Sequence, residues 1–284
     1  MHLRRHPEIR RRQLELKRDV AHKSYLSGHT KAMIEGSPER WLGNKLSLLR
    51  HRCAKRTGSH RRHRWTQHEC NLTLEYLLEL WKTQSSKCAI TGLPLTSKFG
   101  DMYSATIDRI DPAADYIIGN VQLAGLAANL AKDKYTNSEM AEFIKQIVRN
   151  TRPAEKPQIR HLRRIADGMV HRCRWRGTTH EIAEDCGVAT DATTAIDYLR
   201  GLWARQGGIC AITGVALAND GSLFSASADR IDSATGYLPS NIQLVCRAIN
   251  YAKNSHDMVE LSKWLEAIKI IWAAGVAAPY SEHG

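Results

Sequence analysis

The sequence predicts an α+β protein built as two tandem units. Each unit has two short strands leading into a helix, embedded in further helices. Three observations predict this. The chain repeats itself: residues 74–95 (LEYLLELWKTQSSKCAITGLPL) match residues 196–217 (IDYLRGLWARQGGICAITGVAL). Residues 108–132 match 229–253 at 13 of 25 positions without a gap, which marks a duplication. Within each copy the apolar pattern passes from helical spacing to short strand-like runs and back. Finally, 284 residues with 43% hydrophobic and 25% charged content suit a globular chain of about two domains.

The repeats set the boundaries. A basic N-terminal segment covers residues 1–37, the first repeat 38–150 and the second 159–275. A polar, Pro-bearing linker lies at 151–158 and a tail at 276–284. Each repeat opens with a basic helical stretch, WLGNKLSLLRHRCAKR or RHLRRIADGMVHRCRWR, in which His51-Arg52-Cys53 matches His171-Arg172-Cys173. An amphipathic helix follows. Leu74, Leu77, Leu78 and Trp81 fall at helical spacing, as do Ile196, Leu199, Leu202 and Trp203 less strictly, and these are expected core residues. A Cys-Ala-Ile-Thr-Gly turn precedes the first strand, ATIDRID or ASADRID. A loop carrying Tyr116 or Tyr237 leads to the second strand, NVQL or NIQL. The next helix carries Asn129 and Lys132, or Asn250 and Lys253, before a closing helix. Thr136 and Glu139 have the spacing of a capping box at the start of the first closing helix.

The net charge is +12, and residues 1–70 hold 18 Lys+Arg against 6 Asp+Glu, so all of the excess lies at the front. A block of this kind suits a polyanion such as DNA or RNA; the alternative is a solvated tail. No run of apolar residues reaches the length of a membrane span, and the basic start lacks the apolar core of a secretory signal. The seven scattered cysteines form no CxxC pair, so reduced thiols in the cytoplasm are the simplest reading.

An Asp on the first strand and an Asn on the following helix make a metal-site arrangement. Asp108 and Asn129 form one pair, Asp229 and Asn250 the other. One carboxylate and one amide oxygen suit a hard cation such as Mg²⁺ or Mn²⁺, with water and substrate phosphate completing its shell. Lys132 and Lys253 lie three residues beyond each Asn, on its helical face, where a cation can bind phosphate. The competing reading is an Asp-Arg surface pair and an ordinary helix-face Asn.

The pattern DRID…Y…N-(V/I)-Q…N..K, preceded by C..TG, resembles the HNH endonucleases of the His-Me finger class, closest to phage-borne and homing members. The resemblance covers most of both repeats. It implies two tandem ββα-metal units, with Asp108, Asn129, Asp229 and Asn250 as metal ligands. It also implies that Asn120 and Asn241 belong to the catalytic set, pinning the loop and orienting the base. Arg109 and Arg230 stand where many members carry the catalytic His. A guanidinium stays protonated and cannot act as a general base, but it can stabilise phosphate charge. Asp111 and Asp232, two residues on, share that strand face. Each can accept a proton, orient a metal-bound water, or pair with the Arg as structure. A histidine from elsewhere, such as His51 or His171, is another source of a base. Many relatives brace this fold with two Cys pairs. Here Cys88 and Cys210 face Gly125 and Cys246, too few ligands for structural zinc, and buried apolar roles are expected.

The leading functional reading is therefore a metal-dependent endonuclease acting on double-stranded DNA, phage-encoded or homing, in the host cytoplasm, with no membrane partner. Copy two keeps the family's Gly236-Tyr237 and Val245-Cys246, which favours it if one copy is active. A nuclease scaffold that has lost catalysis and binds DNA or RNA is the alternative. A virion-associated protein is a third reading.

Overall fold

The computed structural model describes residues 34–54, 69–176 and 183–275. The N-terminal segment before residue 34 and the tail from residue 276 lie outside the described residues. In chain order the elements are α1 (Pro38–Ala54), α2 (Leu74–Thr83), β1 (Ala105–Arg109), β2 (Val121–Gly125), α3 (Leu126–Lys132) and α4 (Asn137–Arg149). The second series is α5 (Ile159–Arg176), α6 (Ala192–Arg205), β3 (Ala226–Arg230), β4 (Ile242–Cys246), α7 (Arg247–Lys253) and α8 (Met258–Ala273). The protein is mixed α and β, with two small antiparallel sheets. The described residues form two compact units, 34–148 with 259–275, and 149–258.

Each unit is organised around a hairpin. In the first, β1 pairs with β2 so that Asp108 faces Gln122; in the second, β3 pairs with β4 so that Asp229 faces Gln243. A lone two-stranded hairpin is at best marginally stable in water, so packing must hold it. The small residues Ala127, Ala128 and Ala131 let α3 approach its hairpin closely, and all five residues of β2 are buried. Across the other side, Gln84 donates to Leu123 O (2.8 Å) and accepts from Leu123 N (2.9 Å). Gln206 makes the same two bonds to Leu244, at 2.9 Å each. These amides, buried in Gln84 and half-buried in Gln206, tie the end of the amphipathic helix to the middle of the second strand.

The first helix of each series is also fastened to its hairpin. Trp41 Nε1 donates to Ala105 O at 2.8 Å, and His161 Nε2 lies 3.1 Å from Ala226 O. Side-chain caps start α2 and α6: Thr73 Oγ1 accepts from Tyr76 N, and Asp191 Oδ1 from Thr194 N. At α4, Glu139 N donates to Thr136 Oγ1 (3.2 Å) and Thr136 N to Glu139 Oε2 (2.8 Å), the reciprocal bonds of a capping box. After α2 the chain turns through Ser85 and Ser86 at φ 53° and 57°, where the second unit has Gly207 and Gly208 at 63° and 71°. A Cβ on Gly208 would lie 2.8 Å from Trp203 Nε1 and 3.0 Å from Glu155 O, so only glycine fits there.

Three features differ from the sequence reading. In α2 only Leu77 is buried, while Leu74, Leu78 and Trp81 are half-buried; the matching Ile196, Leu199, Leu202 and Trp203 are all buried. One reason is the segment 150–158. Trp203 Nε1 donates to Glu155 O (3.1 Å), Asn219 Nδ2 to Glu155 Oε2 (3.1 Å), and Gln158 N to Asn219 Oδ1 (3.0 Å). This polar stretch is a strap on the second unit. The last helix, α8, belongs to the first unit, where Trp272 Nε1 donates to Thr91 O at 3.3 Å.

The third difference is a disulfide between Cys173 and Cys186, with Cα atoms 5.7 Å apart, where reduced thiols were expected. It fastens α5 to the segment leading into α6. The bridge spans 13 residues. Closing a loop of that size in the unfolded chain is worth about 3 kcal/mol. Cys173→Ser is thus expected to lower the unfolding free energy of the full chain by about 3 kcal/mol, and reductant to do the same to the wild type. Denaturation curves with and without reductant test this, and coincident curves would refute it.

A buried carboxylate site built twice

The first strand of each hairpin carries the Asp inward. Asp108 and Asp229 are each 5% exposed. Lys132 Nζ sits 2.9 Å from Asp108 Oδ2 and also bonds Arg109 O, and Gln122 Nε2 reaches the same Oδ2 at 2.7 Å. In the second unit Lys253 Nζ is 2.9 Å from both Asp229 oxygens and 2.6 Å from Arg230 O, with Gln243 Nε2 2.8 Å from Oδ2. The two lysines are among the most buried side chains of the protein, at 0% and 1% exposure. Their ammonium groups are aimed at the carboxylate and the strand carbonyls. The sequence had assigned them to phosphate; helical spacing placed them on the Asn face but could not say where a long side chain would end. Burial pushes the Asp108 carboxyl above its ordinary range, against the opposing pull of Lys132 and Gln122.

Asn129 and Asn250 lie beside the strand. Asn129 Nδ2 donates to Thr106 Oγ1 (2.9 Å) and Asn250 Nδ2 to Ser227 Oγ (2.7 Å), two residues before each Asp. Asn120 and Asn241 hold the loop. Each accepts through Oδ1 from the N–H of Asp111 or Asp232, and donates through Nδ2 to that residue's carbonyl. Asn241 also donates to Thr235 Oγ1 and Gly236 O, at 2.9 Å each. Asp111 and Asp232 close a tight turn: Oδ1 accepts from Ala113 N or Ala234 N at 2.8 Å. Neither takes part in the ion pairs among the described residues.

Arg109 and Arg230 follow each Asp. Their guanidinium groups donate to Ala114 O and Thr235 O at 2.9 Å and lie over the Tyr116 and Tyr237 rings, at 5.0 and 5.6 Å. Arg172 Nε donates to the Tyr237 hydroxyl at 2.7 Å. His51 and His171 are exposed towards the ends of α1 and α5. The residues missed from sequence are Gln122 and Gln243, Thr106 and Ser227, and the Gln84 and Gln206 clamps. Both Gln pairs were legible as identities between the repeats.

Among the described residues no three His, Cys, Asp or Glu side chains are placed to hold a metal. The oxygen donors still suit a hard cation. In the first unit Lys132 and Gln122 both engage Asp108 Oδ2, and Asn129 is held through its Nδ2, so Asp108 Oδ1 and Asn129 Oδ1 take part in none of these bonds. In the second unit Lys253 engages both carboxylate oxygens. Cys88, Cys210 and Cys246 are buried; Cys88 Sγ accepts from Gly125 N and Cys210 Sγ from Cys246 N, each at 3.3 Å. No family model, curated protein or solved structure matches the chain.

Proposed function

We propose that the protein is a metal-dependent endonuclease for double-stranded DNA, with two ββα-metal units of the HNH (His-Me finger) type. The observation that carries this reading is recurrence. Asp, Gln, Asn and Lys are brought to the same hairpin and helix twice, with the same register and the same partners. Asp108 with Asn129, and Asp229 with Asn250, would hold Mg²⁺ or Mn²⁺. Such a cation, when bound, stabilises charge on the leaving oxygen of a phosphodiester. Arg109 and Arg230, held by a loop carbonyl and a tyrosine ring, oppose phosphate charge beside it. The middle Asn and the turn-forming Asp fix the loop that carries the Arg. Gln and Lys orient the buried carboxylate.

The test is nicking of supercoiled plasmid with and without Mg²⁺. Wild type is expected to cut only with metal. Asp108→Ala with Asn129→Ala, and Asp229→Ala with Asn250→Ala, assign the activity to a copy. Wild type that never cuts, or a chain altered at all four positions that cuts normally, overturns the proposal.

A second reading rests on one observation. In both units a lysine ammonium already neutralises the Asp, and Arg replaces the expected His. A scaffold that binds DNA or RNA without cutting it has these features, and metal-independent binding with no nicking would favour it.

A further inference from the structure

Outside the first 70 residues the formal charge balances, 23 Lys+Arg against 23 Asp+Glu, yet the basic residues are not evenly spread. Helix α5 buries His161, Leu162, Ile165, Ala166, Met169, Val170 and Cys173 against its unit. Its other face exposes Arg160, Arg163, Arg164 and His171, with Asp167 the one acid among them. At 100° per residue these four fall within one stripe, and at 1.5 Å per residue Arg160 to His171 spans about 16 Å. None of the four joins the ion pairs among the described residues.

Two bonds fix this stripe relative to the candidate site. Near the start of α5, His161 is held to Ala226, the first residue of β3. Towards its end, Arg172 bonds the Tyr237 hydroxyl, and the Tyr237 ring lies against Arg230. The exposed arginines therefore lie on a helix tied at both ends to the strand and loop that carry Asp229 and Arg230. Among the described residues, helix α1 of the first repeat has no such stripe. At the positions matching Arg160, Arg163, Arg164 and His171, helix α1 has Arg40, Gly43, Asn44 and His51. Two of the three arginines are absent.

We propose that the exposed α5 face is a phosphate-contacting surface that seats duplex DNA on the second repeat. Its length matches about five nucleotides of one strand at 3.4 Å each, and its rigid spacing suits a regular backbone. Exposed, unpaired arginines are what counterion release requires. The inference rests on the DNA reading above, but it needs no cleavage.

The experiment uses the full chain in EDTA, titrated against a fluorescent DNA duplex between 50 and 200 mM salt. Arg160→Gln, Arg163→Gln and Arg164→Gln are combined; all three are exposed, and a thermal melt checks the fold. Losing three phosphate contacts should flatten the slope of log affinity against log salt by about 2.7, since each contributes about 0.9. The ratio of wild-type to variant affinity should then fall about 40-fold across that fourfold salt range. An unchanged slope overturns the proposal, as does the same loss on duplex RNA bound more tightly than DNA. A flattened slope with no plasmid nicking by wild type would retain this surface and reject the nuclease reading alone.

Discussion

Lys132→Met is expected to destabilise the first unit by about 3–5 kcal/mol at neutral pH, because it leaves the Asp108 carboxylate buried without its counter-charge. The methionine keeps most of the buried volume, so packing loss contributes little. The pH dependence has a definite sign. Burial already pushes Asp108 above its ordinary range, and Lys132 is the largest influence holding it down. Without Lys132 the folded-state value rises further above the unfolded value, near 3.9. A carboxyl raised on folding contributes stability below its unfolded value and loses it as pH climbs through the folded one. The deficit should therefore shrink as the solution is acidified through the raised folded-state value, where Asp108 takes up a proton. Lys132→Met with Asp108→Leu removes both charges and should recover most of the loss, since apolar replacements of buried pairs are often neutral. Denaturant unfolding of the three proteins at several pH values tests this. A double variant no more stable than the single one, or a deficit that grows on acidification, would show that the pair is not the source.

That pair also marks the limit of what the sequence could reveal. Strand, loop, strand and helix were legible because they recur, and β1–β2 and β3–β4 form with one register. The roles of Asn120 and Asn241 in pinning the loop were legible as well. The direction of Lys132 and Lys253 was not, because a four-carbon stem can turn outward to phosphate or inward to a carboxylate from the same helical position. Asp111 and Asp232 were assigned to a shared strand face with the Arg, but the chain has left the strand by then and the carboxylates close a turn. The Cys173–Cys186 bridge has no sequence signature. Its spacing follows no motif, and an odd cysteine count hides a single pair. The half-buried Trp81 against the buried Trp203 shows the same limit in the core: the first copy has the stricter helical spacing, yet it is Trp203 that the 150–158 strap covers.

Arg230→His is expected not to raise cleavage, although it places a histidine where the proposed HNH reading expects one. Arg230 does two things an imidazole cannot do together. It donates to Thr235 O across the loop, and it spreads over the Tyr237 ring at 5.6 Å. A histidine is too short to keep both contacts, so the loop that positions Asp232 would loosen while the positive charge on phosphate disappears at neutral pH. Arg and Asp recur in both copies at the same two-residue spacing, each with the same turn and the same Asn behind it, as a working pair would. Asp232→Asn isolates the carboxylate, because the amide oxygen can still accept from Ala234 N and keep the turn. If the carboxylate also handles the attacking water, one of the roles its position implies, that variant should lose rate and lose any carboxylate-dependent rise in the pH profile of nicking. Arg230→Ala should instead lower the rate evenly across pH, since guanidinium does not titrate in the accessible range. The three profiles, measured on supercoiled plasmid with Mg²⁺, separate the cases. A large gain from Arg230→His would mean that the site is a degraded His-dependent centre awaiting its base, and would favour the non-cutting scaffold over the nuclease.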